Sequence, residues 1–290
     1  MRADHPVDSP SSIFPRLLGL ILVACILSFA LHPEVAKADA WLPLAGNGDV
    51  EPMVRYSYAD QQFPSNSFSS ATRPGSSEHE TQIRITGEHG LGNGFSLDYD
   101  LRYGFLYRSK VKKGVKVVDT NNGLQEQRVG LNYALAQDIS FADAIGLSVI
   151  GPGSSVTKIP GLDNGRWAAE PDYHLGFKPG FWKLTTNLDM GTRIFLDGGA
   201  AQFRTELEVR APVVPGLHLA GKVFFVRSAR LSAYNNARDR GELYNLLRVG
   251  VEAAYHLTDS IEPVVAYEDY LAGMGGHAAQ RFTIGVKISY

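Results

Sequence analysis

Charged side chains recur at every second position through much of this 290-residue chain, each flanked by apolar neighbours. In residues 95–108 (FSLDYDLRYGFLYR), Asp98, Asp100 and Arg102 alternate with Phe95, Leu97, Tyr99, Leu101 and Tyr103. In residues 202–211, Arg204, Glu206, Glu208 and Arg210 alternate with Phe203, Thr205, Leu207 and Val209. Arg55, Arg84, Arg128, Arg248, Glu252 and Arg281 hold equivalent places. The acids and bases on this face balance. Such rows can brace a wall by pairing across strands, or line an aqueous passage with weak ion selectivity. Three cross-strand partnerships are expected from the short turns: Arg84 with Asp100, Arg210 with His218, and His256 with Glu262.

Three other groups carry chemistry by type. His218, His256 and Glu262 gather near short turns as a periplasmic-side polar cluster. Imidazole and carboxylate donors suit a divalent metal, but their spacing matches no recognised metal motif. No metal or other cofactor is therefore expected. Ser76, Ser77, His79 and His277 are the residues a hydrolase would use. A nucleophilic serine needs a base that is itself held by a third group, and no local motif supplies one. Lys110, Lys112, Lys113, Lys116, Arg230, Arg238 and Arg240 make two connections basic, which could attract phosphate groups of lipopolysaccharide.

The elements that must position these residues follow from the alternation. Side chains of a strand point to opposite faces with period two, so each segment is a two-faced strand. Twelve are predicted: 50–59, 80–88, 95–108, 124–135, 141–150, 169–177, 181–195, 202–211, 217–228, 243–256, 261–270 and 280–290. Several reach the 9–11 residues that a strand needs to cross a bilayer. Their connections alternate between short turns and longer loops near 60–79, 109–123, 151–168 and 229–242. This is the plan of an up-and-down antiparallel transmembrane β-barrel, all-β, with ten or fourteen strands as alternatives to twelve. An even number returns both termini to the periplasm. Tyr56, Tyr103, Tyr107, Tyr133, Tyr255 and Tyr290 fall on the outward parity, as interfacial girdles require. Residues 41–47 form either a short periplasmic plug or a frayed end.

Composition agrees only after this reading. Mean hydropathy is -0.11 and formal net charge is -2, values of an ordinary soluble protein. A barrel averages one apolar face with one polar face and needs no large apolar core. The near-neutral charge argues against nucleic acid as a partner.

Residues 17–31 are a 15-residue apolar block, short for a helical span and suited to an export signal. Ala38 and Ala40 make a small-x-small cleavage site, so residues 1–40 are expected to be removed and 41–290 to form the barrel. Cys25 admits a lipoprotein reading, but the six residues after it stay apolar. Removal of residues 1–40 leaves 25 basic against 26 acidic residues and no cysteine, which excludes disulfides and thiol chemistry.

The terminal FTIGVKISY (282–290) has apolar residues at alternate places and ends in an aromatic. It resembles the C-terminal β-signal of bacterial outer-membrane proteins. That resemblance implies insertion by the barrel-assembly machinery and an integral outer-membrane location among lipid and lipopolysaccharide. The function expected is passive diffusion of small solutes through a charge-lined lumen. An outer-membrane lipid hydrolase and a non-conducting structural or surface-interaction barrel are the alternatives.

Overall fold

The computed structural model describes residues 40–64, 67–71, 73–112, 115–153, 166–179, 183–196, 200–230, 244–275 and 277–290. The export-signal reading of residues 1–40 falls almost entirely outside them, as does most of the loop at 151–168. Thirteen strands occur among the described residues: β1 (Gly48–Gln62), β2 (Arg73–Gly92), β3 (Phe95–Lys112), β4 (Val115–Leu124), β5 (Gln127–Gln137), β6 (Phe141–Gly151), β7 (Ala168–Phe177), β8 (Thr185–Phe195), β9 (Ala200–Val214), β10 (Leu217–Arg230), β11 (Asn245–Tyr255), β12 (Ile261–Met274) and β13 (His277–Ser289). Every pairing is antiparallel, and β1 pairs with β13 to close the sheet. The closed ring has the twelve strands that the alternation predicts, with β4 additional to it.

The additional strand corrects the expected loop at 109–123. There β3 continues to Lys112 and turns into β4, pairing from Tyr103↔Leu124 to Lys112↔Val115. The first half of β3 pairs instead with β5, from Phe95↔Tyr133 to Asp100↔Arg128. One barrel strand is thus broken at Gln125 and Glu126. The Gln127 side chain patches the break. Its Oε1 accepts from Arg102 N at 3.1 Å, and its Nε2 donates to Arg102 O at 2.8 Å. A side-chain amide carries both a donor and an acceptor, so it can stand in for a strand's peptide group.

Closure explains the strands. Backbone polar groups in hydrocarbon need internal partners, and a ring leaves no open edge. The outward face is then free to be apolar: Val54, Ile83, Phe105, Leu131, Leu147 and Ile284 are all exposed. An apolar belt this extensive would be a liability in water. The short turns use suitable residues. Asn93 and Gly94 have φ of 53° and 79°, the left-handed pair that a two-residue hairpin turn requires.

Among the described residues, apolar side chains inside the ring form two small clusters, both towards the long-loop end. Phe63, Phe224, Val226 and Leu246 make one; Ile150, Ala168 and Phe195 make the other. Phe63 follows β1 and packs where Gly273 leaves room on β12. Ser69 N donates to Gly273 O at 3.1 Å, and Gly275 N to Pro64 O at 2.8 Å. The β1–β2 connection therefore folds over the end of β12.

Candidate pore lining

The residues singled out by the alternation converge on the inside of the ring. Asp100, only 5% exposed, is held by two bases. Arg84 Nε lies 2.8 Å from its Oδ1, and Arg102 Nε donates to Oδ2 at 2.9 Å. Arg128 Nη2 reaches Asp172 Oδ2 at 2.9 Å and Asp98 Oδ2 at 3.7 Å. Asp172 also meets His174 Nε2 at 3.1 Å, whose Nδ1 lies 2.6 Å from Asp189. Glu170 sits between Arg193 Nε at 2.7 Å and Arg204 Nη1 at 3.0 Å. Arg193 also contacts Glu126 at 2.9 Å.

Further round the ring, Arg210 contacts Glu208 at 3.1 Å and Glu252 at 2.9 Å, and Lys222 bridges the same two acids. Arg248 meets Glu268 at 3.3 Å and Glu206 at 3.8 Å. Arg281 approaches Glu268 only to 3.9 Å.

Several of these pairs skip a strand. Arg128 on β5 meets Asp172 on β7, and Arg210 on β9 meets Glu252 on β11. The intervening strand offers a small residue in each case. Ala220 faces both Arg210 and Glu252 across β10. A Cβ on Gly146 of β6 would strike Asp172 Oδ1, and one on Gly130 of β5 would strike Asp98 Oδ1. Small positions thus let long charged side chains lie along the wall. Where the middle residue is large, it takes part. Phe224 stands between Arg248 and Glu206, and the Arg248 guanidinium stacks 4.2 Å from its ring centre.

Two of the three expected partnerships form contacts. Arg84 meets Asp100, though diagonally, since it stands opposite Arg102; His256 Nδ1 lies 2.7 Å from Glu262 Oε2. Arg210 does not oppose His218. A register shift between Leu217 and His218 sets His218 against Pro212 and Ala220 against Arg210. The His218 and His256 rings sit perpendicular with centres 4.7 Å apart, and potential ligand atoms of His218, His256 and Glu262 lie within 4.8 Å of one another. Arg210 Nη1 stands 3.8 Å from Glu262, a positive charge where a cation would bind. Of the hydrolase candidates, His79 faces outward, and its Nδ1 lies 2.7 Å from the Tyr56 hydroxyl. His277 Nε2 lies 3.7 Å from Glu78, and the Ser76 side chain lies outside the described part.

Alternation alone did not single out three features. The first is Gln125, buried in the strand break, where it bonds Gln82 and Glu80 beside Gly104. The second is the apolar mouth around Phe63. The third is a strap formed by residues 40–47 across the short-turn end. Trp41 Nε1 donates to Asp138 O at 2.6 Å, and Lys178 Nζ lies 3.9 Å from the Trp41 ring centre. Gln137 Nε2 donates to Leu42 O at 3.1 Å, and Gly46 N to Gly90 O at 2.9 Å. Cβ atoms on Gly176 and Gly90 would strike this segment, so it lies on the lumen side of β7 and β2. Burial pushes the Lys178 ammonium below its usual range. In the adjoining turn, backbone N–H groups of Ser140 and Phe141 hold the Asp138 carboxyl below the usual range.

With this geometry in place, comparison with known proteins is informative. The chain matches no family model, and no curated protein matches it in sequence. Its fold is similar to that of the COG4313 outer membrane channel from Pseudomonas putida F1, with a TM-score of 0.67 and 13% identity over 89% of this chain and 100% of that one. The fold is that of an outer-membrane channel. A second similar structure, the NanC porin, has a TM-score of 0.50 and 14% identity over 82% of this chain and 98% of that one.

Proposed function

We propose that the protein is an integral outer-membrane channel for passive diffusion of small solutes. The observation that carries this reading is the arrangement of the lumen charges. Most pair with acids one or two strands away, several over an alanine or serine of the strand between. An unpaired charge in a low-dielectric barrel would be costly, whereas neutralised pairs keep the passage polar at small cost. The network comprises Arg84, Asp98, Asp100, Arg102, Arg128, Arg204, Glu206, Glu208, Arg210, Arg248, Glu252 and Arg281. The similarity to a solved outer-membrane channel supports the reading.

In this reading the short turns and both termini face the periplasm, and the strap crosses the periplasmic mouth. Residues 1–40 are the cleaved export signal. Lipopolysaccharide surrounds the long-loop end, and the barrel-assembly machinery recognises the terminal strand. Planar-bilayer recording of the purified protein is the test. Stepwise unitary currents are expected; bilayers that contain the folded barrel yet stay sealed would reject the channel.

A further inference from the structure

The lumen bases are not all neutralised alike. Among the described residues, Arg55 on β1 meets no carboxylate within ion-pair distance. Its Nε has one protein partner, Thr283 Oγ1, at a long 3.4 Å.

Arg281 is also under-satisfied. Its contact with Glu268 is 3.9 Å, beyond hydrogen-bond reach, and its buried Nε has no partner. Arg55 faces Thr283 and Arg281 faces Ser57 across the β1–β13 seam. Arg55 and Arg281 are therefore diagonal neighbours on the lumen face, about 7 Å apart at their roots. Ser57 and Thr283, both buried, add hydroxyl donors between them.

Two like charges rooted as diagonal neighbours, with N–H donors to spare, repel each other. An oxyanion between them would remove the repulsion and satisfy the donors at once. A guanidinium fork matches the two oxygens of a carboxylate, sulfate or phosphate. We propose that Arg55 and Arg281, with Thr283 and Ser57, form an anion-binding subsite in the lumen that selects small solutes carrying an oxyanion. The subsite rests on the channel reading for its role in transport, although binding itself does not require conduction.

Sulfate serves as the probe, in two assays. In planar bilayers, the wild-type current is expected to prefer anions and to be reduced by added sulfate. Arg55→Gln should weaken that block by at least about tenfold, the usual consequence of losing a hydrogen bond to a charged group. In detergent, sulfate should raise the unfolding midpoint of the wild-type barrel and leave that of Arg55→Gln unmoved. Arg281→Gln should behave alike and stands in if Arg55→Gln does not fold. Arg55→Lys keeps the charge without the fork and should recover only part of the block.

Conduction with no sulfate block, or a block equal in wild type and Arg55→Gln, would overturn the subsite and leave the channel standing. No conduction but sulfate stabilisation that requires Arg55 would overturn the channel and keep the binding site. Neither conduction nor stabilisation would overturn both.

Discussion

Two walls of the same lumen handle charge differently. On the wall from β5 to β9, acids are shared between bases. Glu170 lies 2.7 Å from Arg193 and 3.0 Å from Arg204, and the side chains of Glu170 and Arg193 are under 10% exposed. Across the seam from β12 to β2, Arg55 has one long bond to a threonine, and Arg281 stands 3.9 Å from its acid. The first wall spends nearly all its donors on protein, with Arg204 Nε left over. The second leaves donors facing the lumen. Both satisfy the requirement for a polar interior, but the second has an arginine with no carboxylate partner, and so more capacity left for a solute. Bracing and binding can thus be told apart by what each base already holds.

The sharpest way to break this comparison is to remove one base from each wall. Arg193→Ala leaves Glu170 with a single base and Glu126 without its closest one. It should cost about 3 kcal/mol, as loss of one partner of a buried pair does. Arg55→Gln, which removes a repelled charge, should cost nothing or raise stability. Urea unfolding of the barrel in lipid vesicles measures both, and equal losses would erase the distinction between the walls.

A subtler change tests the strand-skipping pairs. Ala220→Leu puts bulk between Arg210 and Glu252 without touching either charge. It should destabilise by about 1 to 2 kcal/mol, partly through crowding of the packed wall. Val223→Leu, outward on the same strand, should be nearly neutral in the same assay.

Smaller still is the strap. Trp41→Ala removes the bond to Asp138 and the stacking with Lys178, an interaction worth about 0.5–1 kcal/mol where exposed. The wall should stay intact while unitary conductance rises. An unchanged conductance would place the strap clear of the permeation path.

The smallest effect is expected at the turn. Because the folded-state carboxyl of Asp138 titrates below its unfolded value, its contribution is present above about pH 4 and fades as pH falls through the folded value. The stability gap between wild type and Asp138→Ala should therefore close in acid. A gap that widened in acid would contradict the hydrogen bonding seen at Ser140 and Phe141.

Much of this was legible in the chain. Period-two alternation set which residues of each strand face inward, and the terminal FTIGVKISY pointed to the class. Arg84 and Asp100 do touch, but diagonally: the register sets Arg84 opposite Arg102 and Asp100 opposite Thr86. Arg210 with His218 fails because β9 runs on to Val214 and leaves only a two-residue turn, which sets Arg210 opposite Ala220. Residues 109–123 looked like a loop because Lys110, Lys112, Lys113 and Lys116 obscure the alternation; pairing with β3 makes them a hairpin.

The sequence by itself determined the barrel and its two faces, because side-chain direction in a strand is a local property; the strand number was settled by closure. Tertiary structure alone decided which charges neutralise each other. Inside a narrow ring, side chains two strands apart can touch, and whether they do depends on register, on the size of the residue between them and on closure. That is why Arg128 reaches Asp172 over Ser148, with Gly146 making room for the acid, and why Arg55, a base like the others in the sequence, is left facing the lumen at the seam.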